Sequence, residues 1–192
     1  MPKIKNVTGA ILAGGKSTRF KRNKAFAIFN GVSFIDRTLV TMKTVFEEVI
    51  IVTNTPEVYS GFGVPVLGDT IPYQGPIGGL MSALSYLSHR PVFIAACDMP
   101  LLNPAVIRKI IKQGRNSLAA VPVHDGRKEY LMAFYSQKIL PLISLMIGEE
   151  RLSMTGLVSR LEPVAWVPVQ GESWFNVNTP EDLSSLEELH AS

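Results

Sequence analysis

Apolar residues along this chain fall into short runs separated by stretches with helical spacing. The runs Val7–Leu12, Glu48–Thr53, Val64–Leu67, Val92–Cys97, Leu118–Val123, Leu131–Tyr135 and Pro163–Val167 are largely apolar and show little polar alternation. Such runs predict strands that are covered on both faces, as in parallel sheets. Helices are predicted over Phe34–Phe46, Ile77–Ser88, Pro104–Gln113, Gln137–Ile147 and Pro180–His190. In the first of these, Phe34, Ile35, Thr38, Leu39, Met42 and Val45 recur at helical spacing, and Ser33 stands where it would cap the helix. The last opens on Thr179-Pro180-Glu181-Asp182, a good cap followed by proline and then acids in the first turn. Alternating strands and helices predict an α/β three-layer sandwich around a mostly parallel central sheet. Residues 1–192 are expected to form one domain, without repeats or a long linker.

Charge changes this picture at one place. Residues 1–35 hold seven Lys and Arg and no Asp or Glu, although the whole chain has a formal charge of only +3. Five of these cations fall within Lys16-Ser17-Thr18-Arg19-Phe20-Lys21-Arg22-Asn23-Lys24, directly after Leu12-Ala13-Gly14-Gly15. Glycines let backbone N–H groups approach phosphate oxygens, and Lys and Arg balance their charge. A polyphosphate loop after the first strand is therefore expected. The Walker A pattern does not fit, because its first glycine position is Ala10, and the Gly-x-Gly-x-x-Gly fingerprint is absent. A plain turn with solvated cations is the bland alternative. Nucleic-acid binding is disfavoured, because the cations cluster at one turn and do not spread along a face with interleaved aromatics.

Other residues gain meaning from that loop. Asp98 follows the run Val92–Cys97 and precedes Met99-Pro100, so a carboxylate would stand at a strand's carboxyl end. Magnesium commonly takes one or two carboxylates together with substrate phosphates, which suits this position; a turn-capping aspartate is the competing reading. Gly75-Pro76-Ile77-Gly78-Gly79-Leu80 is expected to precede a helix whose start could approach an anion, or to serve close packing. Asn54 and Asp69 read on their own as turn residues. His89, His124 and His190 lack metal-ligand spacing, and the single cysteine, Cys97, reads as core. One cysteine, no leader-like start and no membrane-length apolar stretch lead to the expectation of a cytoplasmic protein that does not enter a membrane.

The constellation resembles the molybdenum cofactor guanylyltransferase family, within the nucleotidyltransferases of Rossmann-like fold. Its landmarks are Leu12-Ala13-Gly14-Gly15 with Arg19 and Lys24, Gly75-Pro76 with Gly78-Gly79-Leu80, Cys97-Asp98-Met99-Pro100-Leu101, and Asn176-Val177-Asn178-Thr179-Pro180-Glu181-Asp182-Leu183. The resemblance implies transfer of GMP from GTP to molybdopterin in its molybdenum-loaded form, with release of pyrophosphate. By the same resemblance, Leu12, Ala13, Gly14, Gly15, Lys24, Asn54, Asp69 and Asp98 would contact the nucleotide. Asp98 would hold Mg²⁺, and Arg19, Lys24 and Asp98 would be catalytic. Gly78, Arg151 and Asn178 would lie on the acceptor side. The nucleophile is already an anionic phosphate, so positioning and charge stabilisation suffice. Partner proteins of cofactor biosynthesis, or the molybdoenzymes that receive the product, would fit this activity.

The chain departs from the family pattern at Lys21, where glycine is usual, and at Asn23, where aspartate is usual. Glu129-Tyr130-Leu131 also replaces a His-Pro often found nearby. The rival readings are an enzyme that uses CTP on the same pterin, a sugar-phosphate nucleotidyltransferase, and a nucleotide-binding protein without catalysis. The short chain argues against the sugar-phosphate enzyme.

Overall fold

In chain order the strands are β1 (Thr8–Leu12), β2 (Ile28–Phe29), β3 (Val32–Ser33), β4 (Val49–Thr53), β5 (Val66–Gly68), β6 (Val92–Ala96), β7 (Ala119–His124), β8 (Arg127–Lys128), β9 (Met132–Tyr135) and β10 (Val164–Pro168). The helices are α1 (Phe34–Val45), α2 (Gly75–Tyr86), α3 (Pro104–Gly114), α4 (Leu140–Gly148), α5 (Met154–Val158) and α6 (Pro180–Leu189). Three 3₁₀ turns cover Lys24–Phe26, Pro56–Phe62 and Gln137–Ile139. The computed structural model describes residues 1–14, 23–71, 74–87, 89–171, 175–177 and 179–189.

The main sheet runs β10-β7-β9-β6-β1-β4-β5, with β8 paired to β7. Strands β6, β1, β4 and β5 are mutually parallel, as are β7 and β10. Strand β9 runs antiparallel to both β6 and β7 and joins the two parallel sets. The sheet is therefore mostly parallel, as its Val- and Ile-rich strands predict.

Successive strand residues enter opposite layers, the period-2 consequence of a pleat. Ile11, Val49, Ile51, Phe93 and Ala95 face the layer containing α1 and α3, where they meet Leu39, Met42, Ile107 and Ile110. Ala10, Ile50, Val52, Val92 and Ile94 face the other layer, where they meet Leu80, Leu84, Ile143 and Met146. A third, smaller cluster joins Phe29 and Phe34 to Val177 and Leu186.

The predicted caps are in place. Ser33 Oγ accepts the Asp36 N–H at 3.2 Å at the start of α1. Thr179 and Asp182 form a reciprocal capping box on α6, with distances of 2.9 and 3.1 Å.

Three predicted elements need correction. The strand expected at Val64–Leu67 is Val66–Gly68. Pro65 cannot donate to a ladder, so it serves as the entry and gives only its carbonyl, to the Ile51 N–H at 3.0 Å. The helix expected over Gln137–Ile147 is a 3₁₀ turn followed by α4, which restarts at Leu140-Pro141 with proline in its first turn. Helix α2 spans Gly75–Tyr86 where Ile77–Ser88 was expected, so it starts two residues earlier, with Pro76 suiting its first turn and Gly78 and Gly79 inside it. The β2–β3 hairpin was not anticipated. Its turn is Asn30-Gly31, and both residues have positive φ (48° and 74°), as a type I′ turn requires.

Candidate active site at the carboxyl edge of the sheet

Four neighbouring parallel strands end side by side, and each hands over a polar or glycine-bearing segment. Strand β6 leads to Cys97-Asp98, β1 to Ala13-Gly14, β4 to Asn54 and β5 to Asp69. This is the edge where open α/β sheets bind ligands. It follows from the sheet order, which places residues distant in sequence on adjacent strand ends.

At the β1 end, the Ala13 N–H donates to the Val52 carbonyl at 2.9 Å, and the Ala13 carbonyl accepts the Thr53 hydroxyl at 3.0 Å. A Cβ on Gly14 would lie 3.4 Å from Asn54 Nδ2, so glycine here allows the two strand ends to approach closely. Asn54 also hydrogen-bonds the Asp69 carboxylate. Burial raises the Asp69 carboxyl above the ordinary carboxylate range, and the Asn54 bond partly opposes that rise. Asp69 Oδ1 is buried and has no hydrogen-bond partner among the described residues.

Helix α2 is fastened to this edge. Ser82 Oγ accepts the Thr70 N–H at 2.9 Å and lies 3.0 Å from the Gly78 carbonyl. A Cβ on Gly79 would be 3.2 Å from Leu12 Cδ2 and 3.8 Å from Asp69 Oδ1. The packing reading of this glycine pair is therefore met at Gly79.

Asp98 is the centre of the site. It is 6 % exposed, and its Oδ2 is paired with the Lys24 ammonium. Its Oδ1 is buried without a hydrogen-bond partner among the described residues. The Asp98 carbonyl accepts the Val177 N–H at 3.0 Å, which brings the Asn176-Val177 segment against the β6 end. Cys97, beside it, is buried, and its thiol is pushed up to about 12, chiefly by burial and then by the Asp98 charge. It is a core residue, as expected, and not a nucleophile.

Glu129 and Asn176 add polar groups on the β9 side. Glu129 Oε1 accepts the Leu131 N–H and Oε2 accepts Asn176 Nδ2, each at 2.9 Å. Burial raises the Glu129 carboxyl, and the Asp98 charge adds to the rise. A cleft of about 390 Å³ opens here, walled by His124, Arg127, Lys128, Glu129, Phe175 and Asn176. A larger hollow of about 670 Å³ lies at the opposite edge of the sheet. There Lys5 pairs with Glu47 and Arg90 with Glu48, while Lys3 and Lys43 add two further cations to the lining.

The structure thus brings together Leu12, Ala13, Gly14, Lys24, Asn54, Asp69 and Asp98, with Gly78 in the adjoining helix. Arg151 follows α4. It is exposed, pairs with Glu149 at 3.3 Å, and donates its N–H to the Met146 carbonyl at 2.8 Å. Gly15, Arg19, Lys21 and Asn178 lie outside the described residues. The sequence reading missed Tyr59, whose hydroxyl reaches the Ala13 carbonyl at 3.3 Å. It also missed the Glu129–Asn176 pair. Neither carries a local signal, because each partner lies tens of residues away.

Comparison with known proteins adds a family to this fold. Residues 9–164 match the sequence pattern of the MobA-like NTP transferase domain. A molybdenum cofactor guanylyltransferase of Desulfosudis oleivorans is 34% identical over 190 residues, covering 94% of each chain. A probable molybdenum cofactor guanylyltransferase of Clostridium perfringens is 31% identical, covering 93% of this chain and 95% of its own length. Among solved structures, the molybdopterin-guanine dinucleotide biosynthesis protein A of Archaeoglobus fulgidus superposes with a TM-score of 0.85 at 25% identity, covering 96% of this chain and 99% of its own. A Mycobacterium tuberculosis protein solved in complex with manganese superposes at 0.72 and 20% identity, covering 95% of this chain and 98% of its own; that match speaks to the fold.

Proposed function

The chain belongs to the MobA-like NTP transferase domain family, and from that premise we propose that it is a molybdenum cofactor guanylyltransferase. It takes GTP and the molybdenum-loaded pterin, forms the guanine dinucleotide cofactor, and releases pyrophosphate. The observation that carries the reading is the Lys24–Asp98 pair at the strand edge, beside Gly14, Asn54 and Asp69. The full-length relatives named above supply the reaction.

Each residue has a role that follows from its surroundings. Gly14 leaves room for the nucleotide at the end of β1, and Asn54 and Asp69 offer polar groups to the nucleoside. Lys24 is held by Asp98 before substrate arrives, and it is positioned to exchange part of that contact for phosphate oxygens. Arg19 would join it in stabilising charge as pyrophosphate leaves. Preorganised charge of this kind is typically worth about 2.7–4 kcal/mol per contact, roughly two to three decades in rate.

The residues also fit a divalent cation. Asp98 Oδ1 is a buried carboxylate oxygen without a partner among the described residues, the donor type magnesium prefers. Asp98 would hold Mg²⁺, with phosphate oxygens completing its coordination, and the ion would supply neutralisation of phosphate charge. The manganese-bound structural neighbour supports a divalent ion in this fold. The cleft beside Glu129 and Asn176 leaves room for the acceptor on the β9 side.

The test is pyrophosphate release with molybdopterin, comparing GTP, CTP and ATP, in wild type, in Asp98→Asn, and with EDTA. Release with GTP that collapses in the variant and with chelator supports the assignment. Release with CTP alone keeps the chemistry and changes the product. Tight GTP binding without release refutes the enzymatic reading.

A further inference from the structure

The two ends of the basic loop are tied to one buried tyrosine. Tyr59 lies in the 3₁₀ turn Pro56–Phe62 and is fully buried. Its hydroxyl reaches the Ala13 carbonyl at 3.3 Å, on the amino-terminal side of the loop. On the carboxyl-terminal side, Asn23 Nδ2 donates to the same hydroxyl at 2.9 Å. Phe26 stacks on the Tyr59 ring at 5.5 Å, which brings the turn that carries Lys24 against it.

The direction of this relay is forced. Asn23 Oδ1 accepts the Ala25 N–H at 3.1 Å, so the amide must turn its NH₂ toward Tyr59. The hydroxyl therefore accepts from Asn23, and its single proton goes to the Ala13 carbonyl. That carbonyl also accepts Thr53 Oγ1, so both of its lone pairs are used. Burial raises the Tyr59 hydroxyl to about 12, so the proton stays in place across neutral pH.

Aspartate at position 23 could not complete this chain. A carboxylate only accepts, so it would claim the tyrosine proton and leave the Ala13 carbonyl with one donor. We propose that Asn23 and Tyr59 are positioning residues for the nucleotide: a latch that holds Ala13 and Lys24 at a fixed separation and so sets the span of the phosphate loop between them. The proposal rests on the nucleotidyltransferase reading above. Asn23 is then part of the working site, and its departure from the usual aspartate does not mark a loss of activity.

The experiment measures equilibrium binding of Mg·GTP, Mg·CTP and Mg·ATP, and separately the steady-state transfer reaction. The proteins are wild type, Tyr59→Phe, Asn23→Asp and the double variant, with a thermal melt for each. Tyr59→Phe keeps the ring and its stacking, and Asn23 is exposed, so both variants should remain folded. Loss of the latch should weaken the preferred nucleotide about tenfold, as expected for one or two uncompensated hydrogen bonds. KM for the nucleotide should rise by a similar factor, with kcat within about threefold and KM for the pterin unchanged. Asn23→Asp should have little further effect once Tyr59 is Phe, because no proton remains to be contested.

Folded Tyr59→Phe with wild-type nucleotide affinity overturns the latch. Additive losses in the double variant overturn the forced relay. Wild type that binds GTP but transfers nothing leaves the latch standing and refutes the enzymatic reading. Wild type that binds no nucleotide refutes both.

Discussion

Lys24 and Asp98 should differ sharply in what their removal does to stability. The Asp98 side chain is 8 % exposed and that of Lys24 24 %. In Lys24→Met the carboxylate keeps no hydrogen-bond partner among the described residues, since Oδ1 already lacks one. Breaking a buried pair from one side costs about 3–5 kcal/mol, and partial access of water at Lys24 places this case near the lower end. For a chain of this size each kcal/mol lowers the melting point by about 2–4 °C, so Lys24→Met should melt about 6–12 °C below wild type. Asp98→Asn leaves instead a partly exposed ammonium with an amide oxygen to bond, at a cost of about 1 kcal/mol. The double variant, neutral on both sides, should recover at least half of the Lys24→Met loss. Both single variants should lose two to three decades of transfer activity, the typical size of one charge contact, roughly 2.7–4 kcal/mol. The assay is thermal and urea unfolding without nucleotide, alongside pyrophosphate release. If Lys24→Met melts with wild type, or if Asp98→Asn is the less stable of the two, the assignment of a buried, singly paired carboxylate is wrong.

Three further outcomes are expected. At Gly114, an added Cβ would lie 2.7 Å from Ala120 Cβ and 2.8 Å from Phe134 Cδ1, so Gly114→Ala should cost about 1–3 kcal/mol by urea unfolding. Gly31→Ala meets nothing within 4 Å but demands a φ of +74°, so its loss of about 1–2 kcal/mol should come from backbone strain alone, with activity kept. Asp69 has a carboxyl raised in the folded state, so ionisation opposes folding and the penalty appears as pH rises through the carboxylate range. Asp69→Asn should therefore be more stable than wild type at neutral pH, and the advantage should vanish on acidification; an advantage independent of pH would contradict the burial argument.

The strands were legible because burial on both faces leaves a continuous apolar run. Placing Asp98, Gly14 and Asn54 on one edge then needed only the rule that parallel strands share their carboxyl ends. Boundaries failed where proline decides them, at Pro65, Pro76 and Pro141. The Asn30-Gly31 hairpin did carry a signal, a dipeptide suited to positive φ, which the longer helical pattern beside it obscured. Tyr59 and the Glu129–Asn176 pair could not be read, since a hydroxyl or carboxylate shows its partner only after the chain has folded across 36 or more residues.

The hydrogen bond from Val177 to the Asp98 carbonyl, together with the cluster of Phe29, Phe34, Val177 and Leu186, bears on the order in which a growing chain becomes competent. All the strands of the sheet have been synthesised by Pro168, yet Phe29 and Phe34 still lack their cover and the Asp98 turn lacks its brace. Bracing the Asp98 turn is thus a separate step from building the sheet, because the brace comes from a segment that follows the last strand. Loss of Val177 and α6 together would leave the strands in place while removing both the cover of Phe29 and Phe34 and the brace on the Asp98 turn.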